Sequence, residues 1–243
     1  MKCVFFAVAV LLFIQHPCQA GVIDNLFHEM VPQGQQQVSL DKNTVVKGLK
    51  EALAIGIERA VATVSKPDGY FGNQLIKILL PGKIQQVADV LGKLGYQQQV
   101  DETVLTMNRA AEKAAPKAAA IFGDAIRQMK VEDAKGLLSG KETAATEFFE
   151  KKTRVHLFAA FKPTVTKSMD QVGTTRAYKE MLGKYGVTPL AAIAGVPSLD
   201  LNTYVTDKAL DGLFKMVAEE EKKIRSNPAA RTTDLLRKVF GGK

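Results

Sequence analysis

The chain has 243 residues and 33 basic against 25 acidic side chains, a formal net charge of +8, and it is 46% hydrophobic with two cysteines and no tryptophan. Both cysteines, Cys3 and Cys18, fall within the first twenty residues, which excludes a disulfide-stapled scaffold for the rest of the chain. The core has to hold the fold together alone, and a chain of this length can manage that, burying roughly 70% of the surface it exposes when unfolded.

Taken in order, residues 1–20 read as a secretory signal peptide: Lys2, an apolar run from Val4 to Ile14, then Pro17 and a small-residue exit at Cys18 and Ala20. That run is too short to span a bilayer, which takes roughly 20 residues. The approach to Cys18 through Gln15, His16 and Pro17 does not suit a lipid anchor. A mature chain from Gly21 to Lys243 is expected, secreted to a periplasm or extracellular fluid and not membrane-spanning. It would have no cysteine and no Asn-X-Ser/Thr sequon.

Helical periodicity dominates residues 21–243, and strand-like alternation is nearly absent. Asn43 is a candidate cap for a helix to about Ser65 with the stripe Val45, Val46, Leu49, Leu53, Ile57 and Val64. Gly48, Ala52, Gly56 and Ala60 recur every fourth residue on its flank, a spacing that lets another helix approach closely. SKPDGYFGN, residues 65–73, holds two turns, and LIKILLP, residues 75–81, is either a short extended piece or a helix start. Helices are expected from Pro81 to about Leu94 and from Asp101 to Ala115, where Pro116 ends or kinks the run, with the pattern resuming through Met129.

A helix from Thr143 is expected to carry a Glu147–Lys151 surface pair and to be interrupted at Pro163. Residues 174–185 form a shorter helix, GVTPLAAIAGVPSLDLN a loop, and the last helices run from about Thr203 to Ser226 and from Pro228 to Phe240. The sum is one compact all-α domain of eight or more helices over residues 21–243, without internal repeats.

Without Lys2 the count is 32 basic against 25 acidic residues, a net of +7. From Lys222 onward there are seven basic residues against Asp234 alone. This basic end suits a solvated tail docked on the body. It also suits an amphipathic end on an anionic surface, with Arg231, Arg237 and Lys238 as the contact residues.

Chemical motifs are sparse. His28 and His156 are the histidines left after residue 20, no zinc, calcium or di-iron spacing occurs, and neither metal nor cofactor is expected. PDGYFGN, with Lys66, Asp68 and Asn73, is a candidate binding loop, though a tight turn with Tyr70 and Phe71 packed inward accounts for it better than a phosphate cradle does.

AEEEKK, residues 218–223, is resolved by helical phase. Glu221 points into the stripe of Leu210, Leu213, Phe214, Val217 and Ile224, Glu220 lies on its edge, and Glu219 faces away toward an ordinary pair with Lys223. A carboxylate on an apolar stripe has to be paired, hydrogen-bonded or neutral. The helix from Thr143 shows the mirror oddity, Lys152 and His156 on a stripe of Ala145, Phe148, Val155 and Ala159. Glu221 is therefore expected to meet Lys152, His156 or Arg225 in a partly buried polar cluster.

Five blocks, KPDGYFGN, NRAAEKAAPKA, DAIRQMKVEDAKGLLSGKETAAT, KALDGLFKMVAEEEKKIRSNPAAR and RKVFG, together resemble a family of secreted, mostly bacterial proteins known only as a domain of unknown function. The resemblance runs from about Leu49 to Gly241 and implies a helical, exported, single-domain protein. It brings no reaction, ligand or catalytic residue.

The resulting expectation is a non-enzymatic secreted binding protein whose partner is a lipid, a small apolar ligand or an anionic surface. The alternatives are an enzyme built on Lys152, His156 and Glu221, and a nucleic-acid binder using the basic end. Only Phe240 interleaves with that end's basic residues, which weighs against nucleic acid. Nothing in the sequence speaks to oligomeric state.

Overall fold

The computed structural model describes residues 42–171, 173–187 and 199–227, together with Thr233, Asp234 and Arg237. The expected signal peptide, Cys3, Cys18, His28, Arg231, Lys238, most of the Gly/Pro-punctuated loop and most of the expected last helix lie outside the described residues. Arg237 is described, and it is ion-paired with Asp234.

Among the described residues the fold is all-helical with no strand. The α-helices are α1 (Lys42–Val64), α2 (Gly82–Leu91), α3 (Gln97–Ala114), α4 (Ala118–Gln128), α5 (Val131–Ser139), α6 (Ala144–Gln171), α7 (Thr174–Gly186) and α8 (Leu201–Ser226). A π-helical turn at Gly92–Tyr96 joins α2 to α3, and a 3-10 turn at Ala115–Lys117 joins α3 to α4. Residues 82–128 are thus one run bent at two places, and among the described residues the expectation of eight or more helices reduces to six when each such run is counted once. The first bend needs Gly95, whose φ of 90° is open to glycine at little steric cost. The second bend is where Pro116 sits. All described residues belong to one compact unit, Leu40–Lys243, and no described helix is long and apolar enough to cross a membrane.

The two longest helices, α6 and α8, lie antiparallel at the centre. Contacts step along them in opposite directions, from Thr146 with Glu221, through Arg154 with Asp211, to Lys162 with Thr203. α1 packs on α8, α3 on both central helices, α4 on α1 and α6, and α7 on α3 and α6. Phe122 of α4 ties the centre together through edge-on contacts with Phe149 of α6 at 6.0 Å and Phe214 of α8 at 5.8 Å.

The buried residues of α6 include Ala145, Phe149, Thr153, Leu157, Phe161, Val165 and Met169, one every fourth position. Each step of four residues overshoots a full turn by about 40°, so the buried line rotates around the helix by about 240° from Ala145 to Met169. That rotation lets α6 face α8, α3, α4 and α7 along its length. It also corrects the expected stripe, because a stripe held at one angle places Val155 inside, and Val155 is 79% exposed. Pro163 does not interrupt α6. It lies on the exposed side with Ala159 one turn earlier, so water can satisfy the carbonyl left without an N–H partner.

Further local expectations are revised. Asn43 is inside α1 rather than its cap. Glu147 accepts from the Thr143 hydroxyl at 3.1 Å instead of pairing with Lys151. LIKILLP forms neither strand nor helix, being turn and irregular chain. α8 is capped by Asp200, whose carboxylate accepts from the Thr203 N–H at 3.1 Å and from its hydroxyl at 2.6 Å.

The small-residue flank of α1 meets α8 as the spacing implies, with Ile224 and Glu220 beside Gly56. Gly212 of α8 is tighter: a β-carbon there would stand 2.7 Å from Tyr70 Cε1 and 3.1 Å from Ile76 Cβ. The substitution to alanine should therefore have opposite signs at the two sites. Gly56→Ala gains about 1 kcal/mol of helix propensity and has only the mobile tip of Ile224 to displace. Gly212→Ala gains the same and loses about 1–3 kcal/mol to overpacking against a fully buried ring. Urea denaturation is expected to show the first variant more stable than the parent and the second less.

At Asp200 the Thr203 hydroxyl, and after it the Thr203 N–H, hold the carboxyl pKa below its ordinary value. A carboxylate with a depressed folded-state pKa adds stability that is full above the unfolded value of about 3.9 and is lost as pH falls through the folded one. Asp200→Asn should keep the cap at pH 7 and flatten the acid limb of a stability-versus-pH curve below about pH 4. Asp200→Ala should cost about 1 kcal/mol at pH 7 as well.

Candidate functional site

Glu221 is buried, as its phase on α8 implies, and its partners are two helix ends. The first backbone N–H groups of an α-helix and its last carbonyls have no partner within the helix. Glu221 Oε1 accepts from the Ala145 N–H at 3.0 Å and Oε2 from the Thr146 N–H at 2.9 Å, both in the first turn of α6. The Thr146 hydroxyl donates to Oε2 as well, at 2.9 Å. Arg225, one turn further along α8, donates to Oε1 through Nε at 3.0 Å and Nη2 at 2.9 Å. The same Nη2 donates at 2.7 Å to the carbonyl of Leu137, in the last turn of α5.

The pair therefore spans the corner between α5 and α6, with the carboxylate at a helix N-terminus and the guanidinium at a helix C-terminus. Each charge sits where the helix dipole favours it.

The structure brings Glu221 and Arg225 together and keeps Lys152 and His156 apart from them. Both of those side chains are exposed, because the buried line of α6 has rotated away by that point. They border a surface hollow of about 440 Å³ between α4, α5 and α6, together with Asp124, Lys130, Asp133 and Phe148. The Lys152 ammonium lies 5.9 Å from the Phe148 ring centre. The other glutamates are also placed differently from expectation. Glu219 pairs with Lys222 at 3.2 Å rather than with Lys223. Glu220 is buried and takes Lys223 at 2.7 Å.

A cleft beside the clamp, between α1 and α8, is lined by Leu53, Gly56, Val217 and Ile224 and holds about 30 Å³. That is room for about one water, against roughly 300–1,000 Å³ for a ligand pocket.

The second buried constellation lies on α3 and holds the candidate loop. Glu112 Oε1 accepts from the N–H groups of Tyr70 at 3.1 Å and Phe71 at 3.2 Å. Oε2 takes Arg109 at 2.7 Å, and Arg109 reaches on to Asp68 at 2.7 Å. Asp68 itself adopts a left-handed backbone with φ of 64°, a conformation Asp tolerates better than most residues. The adjacent N–H groups that would cradle a phosphate thus already hold an anion, the protein's own carboxylate.

Of the candidate loop residues, Lys66 is exposed and Asp68 is engaged by Arg109. Asn73 organises the next turn by accepting from the Leu75 N–H at 3.0 Å. The three do not converge on a common point.

Tyr70 is buried, as expected, and Phe71 half-buried. The Tyr70 hydroxyl donates to the Ala209 carbonyl at 2.6 Å, and burial, followed by the Glu112 charge, pushes its pKa far up. Asn108 fixes the chain beyond, accepting from the Ile78 N–H and donating to the Ile78 carbonyl, each at 2.8 Å.

Asn108, Arg109 and Glu112 were not among the expected site residues. The phase argument that singles out Glu221 applies to two of them, since Asn108 lies four residues after Val104 and three before Ala111, and Glu112 lies four after Asn108 and three before Ala115. Among the described residues no group of His, Cys, Asp and Glu is placed to hold a metal ion.

Fold and site together define an all-α protein whose buried carboxylates clamp helix ends and a loop. The chain belongs to the family DUF4197, described as a protein of unknown function, whose model matches residues 39–241. No curated protein and no solved structure matches the chain.

Removing one partner of a buried ion pair costs about 3–5 kcal/mol, and replacing both by apolar residues is often neutral. The corner clamp should not follow the second half of that rule, because the N–H groups of Ala145 and Thr146 would lose their acceptor too. Glu221→Gln is expected to cost about 3 kcal/mol in urea denaturation. The double change to methionine at Glu221 and Arg225 should remain destabilised by about 2 kcal/mol or more. In both variants, amide exchange at Ala145 and Thr146 should rise above that of mid-α6 residues.

Proposed function

We propose that the protein is an exported, non-enzymatic binding protein that acts outside the cytoplasm through its surface. The observation that supports this reading is how fully two buried glutamates, Glu221 and Glu112, are engaged by backbone and guanidinium donors; the third buried glutamate among the described residues, Glu220, is ion-paired with Lys223. Glu221 accepts from two backbone N–H groups, a hydroxyl and a guanidinium, and Glu112 from two backbone N–H groups and a guanidinium. A general base needs a free lone pair within hydrogen-bond reach of its proton: Glu221, with at least two donors on each oxygen, would have to release a helix end to provide one, and Glu112 is 4% exposed with three donors on it. The export reading rests on residues 1–20, and the domain reading, one all-helical domain over 21–243, on the periodicity of the chain.

Native mass spectrometry of the protein purified from its own source tests the reading, and a co-purified molecule without turnover is the expected result. A turnover abolished by His156→Ala would overturn it. Lys152→Ala and His156→Ala are expected to leave both the bound mass and the thermal midpoint unchanged, since exposed substitutions away from special contacts stay within about 0.5 kcal/mol.

A further inference from the structure

Residues 75–80 are irregular in backbone but alternate in burial. Ile76, Ile78 and Leu80 are buried at 6%, 2% and 5%, while Leu75 and Leu79 are exposed at 60% and 56%, with half-buried Lys77 between them on the outward side. Two large apolar side chains are thus presented to solvent by one short segment, which is unusual because exposed leucines are ordinarily scattered singly.

The segment is held on both flanks. Asn108 fixes Ile78, the Tyr204 hydroxyl donates to the Leu79 carbonyl at 2.8 Å, and Lys215 donates to the Leu75 carbonyl at 3.3 Å. The leucines are therefore preorganised, and a partner does not bear the cost of ordering the chain.

The surrounding charge selects the partner. Leu75, Leu79, Lys77 and Lys215 border one hollow of about 280 Å³ between the segment and α8, with Tyr204, Lys208 and Asp211 on its far side. Asp211 is neutralised by Lys208 at 3.0 Å and Arg154 at 2.6 Å. Lys77 lies 4.0 Å from the Phe71 ring centre and Lys215 on a carbonyl, and among the described residues neither has a carboxylate partner. Apolar tips flanked by two uncompensated ammonium groups match the boundary between acyl chains and anionic headgroups.

We propose that the outward edge of residues 75–80, formed by Leu75, Leu79, Lys77 and Lys215, docks the protein on the surface of an anionic phospholipid bilayer. This deepens the binding-protein reading and rests on it.

The test is co-sedimentation of the mature protein with phosphatidylcholine vesicles, with and without phosphatidylglycerol. Binding is expected only with phosphatidylglycerol, falling as salt screens the lysines. Leu75→Ser with Leu79→Ser should abolish it. Lys77→Gln with Lys215→Gln should weaken it by roughly fivefold per lysine. Val155→Ser, on the outer face of α6, should change nothing. All these positions are on the surface, so thermal midpoints should stay at the parent value and report intact folding.

No binding to phosphatidylglycerol vesicles at low salt, or full binding by both double variants, overturns the proposal. So does loss of binding only on deletion of residues 228–243, which would assign the contact to the basic end. Equal affinity for monomeric dodecyl phosphate in the absence of vesicles would replace the membrane by a free amphiphile and also overturns it. A co-purified ligand without vesicle binding sinks this proposal alone, and absence of both sinks the binding reading with it.

Discussion

The corner between α5 and α6 depends on a single carboxylate. α6 is the helix around which α8, α3, α4 and α7 are arranged, and its first turn opens inside the protein, where water does not satisfy its leading N–H groups. Glu221 supplies the missing acceptors from across the interface with α8, and Arg225 turns the same contact into a tie to the end of α5. An acid that looks misplaced on an apolar helix face is thereby the complement of an exposed-dipole problem on another helix. Its desolvation is offset by donors that are themselves in need of an acceptor.

The loop between α1 and α2 is solved in the same way. Seventeen residues without regular structure separate Val64 from Gly82, and most of that backbone lies on a packed surface where polar groups have to be matched. Two side chains one turn apart on α3 do much of it, Asn108 matching both polar groups of Ile78 and Glu112 two successive N–H groups. Tyr70 then enters the gap left by Gly212 and ends on the carbonyl of Ala209. Lending side chains to irregular backbone is what allows a largely helical protein to keep a long connection close against its core.

The all-α class, the approximate extents of the helices and the inward turn of Tyr70 were legible in the sequence because each follows from local periodicity or turn chemistry. The burial of Glu221 was legible for the same reason. Its partners were only half legible. Arg225 lies within reach on the same helix, but the N–H groups of Ala145 and Thr146 belong to a helix whose packing angle no single-helix pattern encodes. Assigning α6 one fixed stripe carried Lys152 and His156 inward. A buried line repeating every fourth residue signals rotation instead, and a run of that spacing from Ala145 to Met169 was available to be read. The pairing of Glu219 with Lys222 rather than Lys223 is a choice between neighbouring positions of similar energy.

The blocks that carry the family resemblance hold both halves of each clamp. KPDGYFGN meets NRAAEKAAPKA through Glu112, and GLLSGKETAAT meets VAEEEKKIRSNP through Glu221 and Arg225. A resemblance concentrated in such blocks transmits the fold, because each block makes sense only with its partner in place. It says nothing of chemistry, since the two carboxylates that join the blocks, Glu112 and Glu221, are engaged by backbone N–H groups and by Arg109 and Arg225. The surface we propose draws on a different part of the chain: Leu75, Lys77 and Leu79 belong to LIKILLP, which lies in none of those blocks, and only Lys215 comes from one of them.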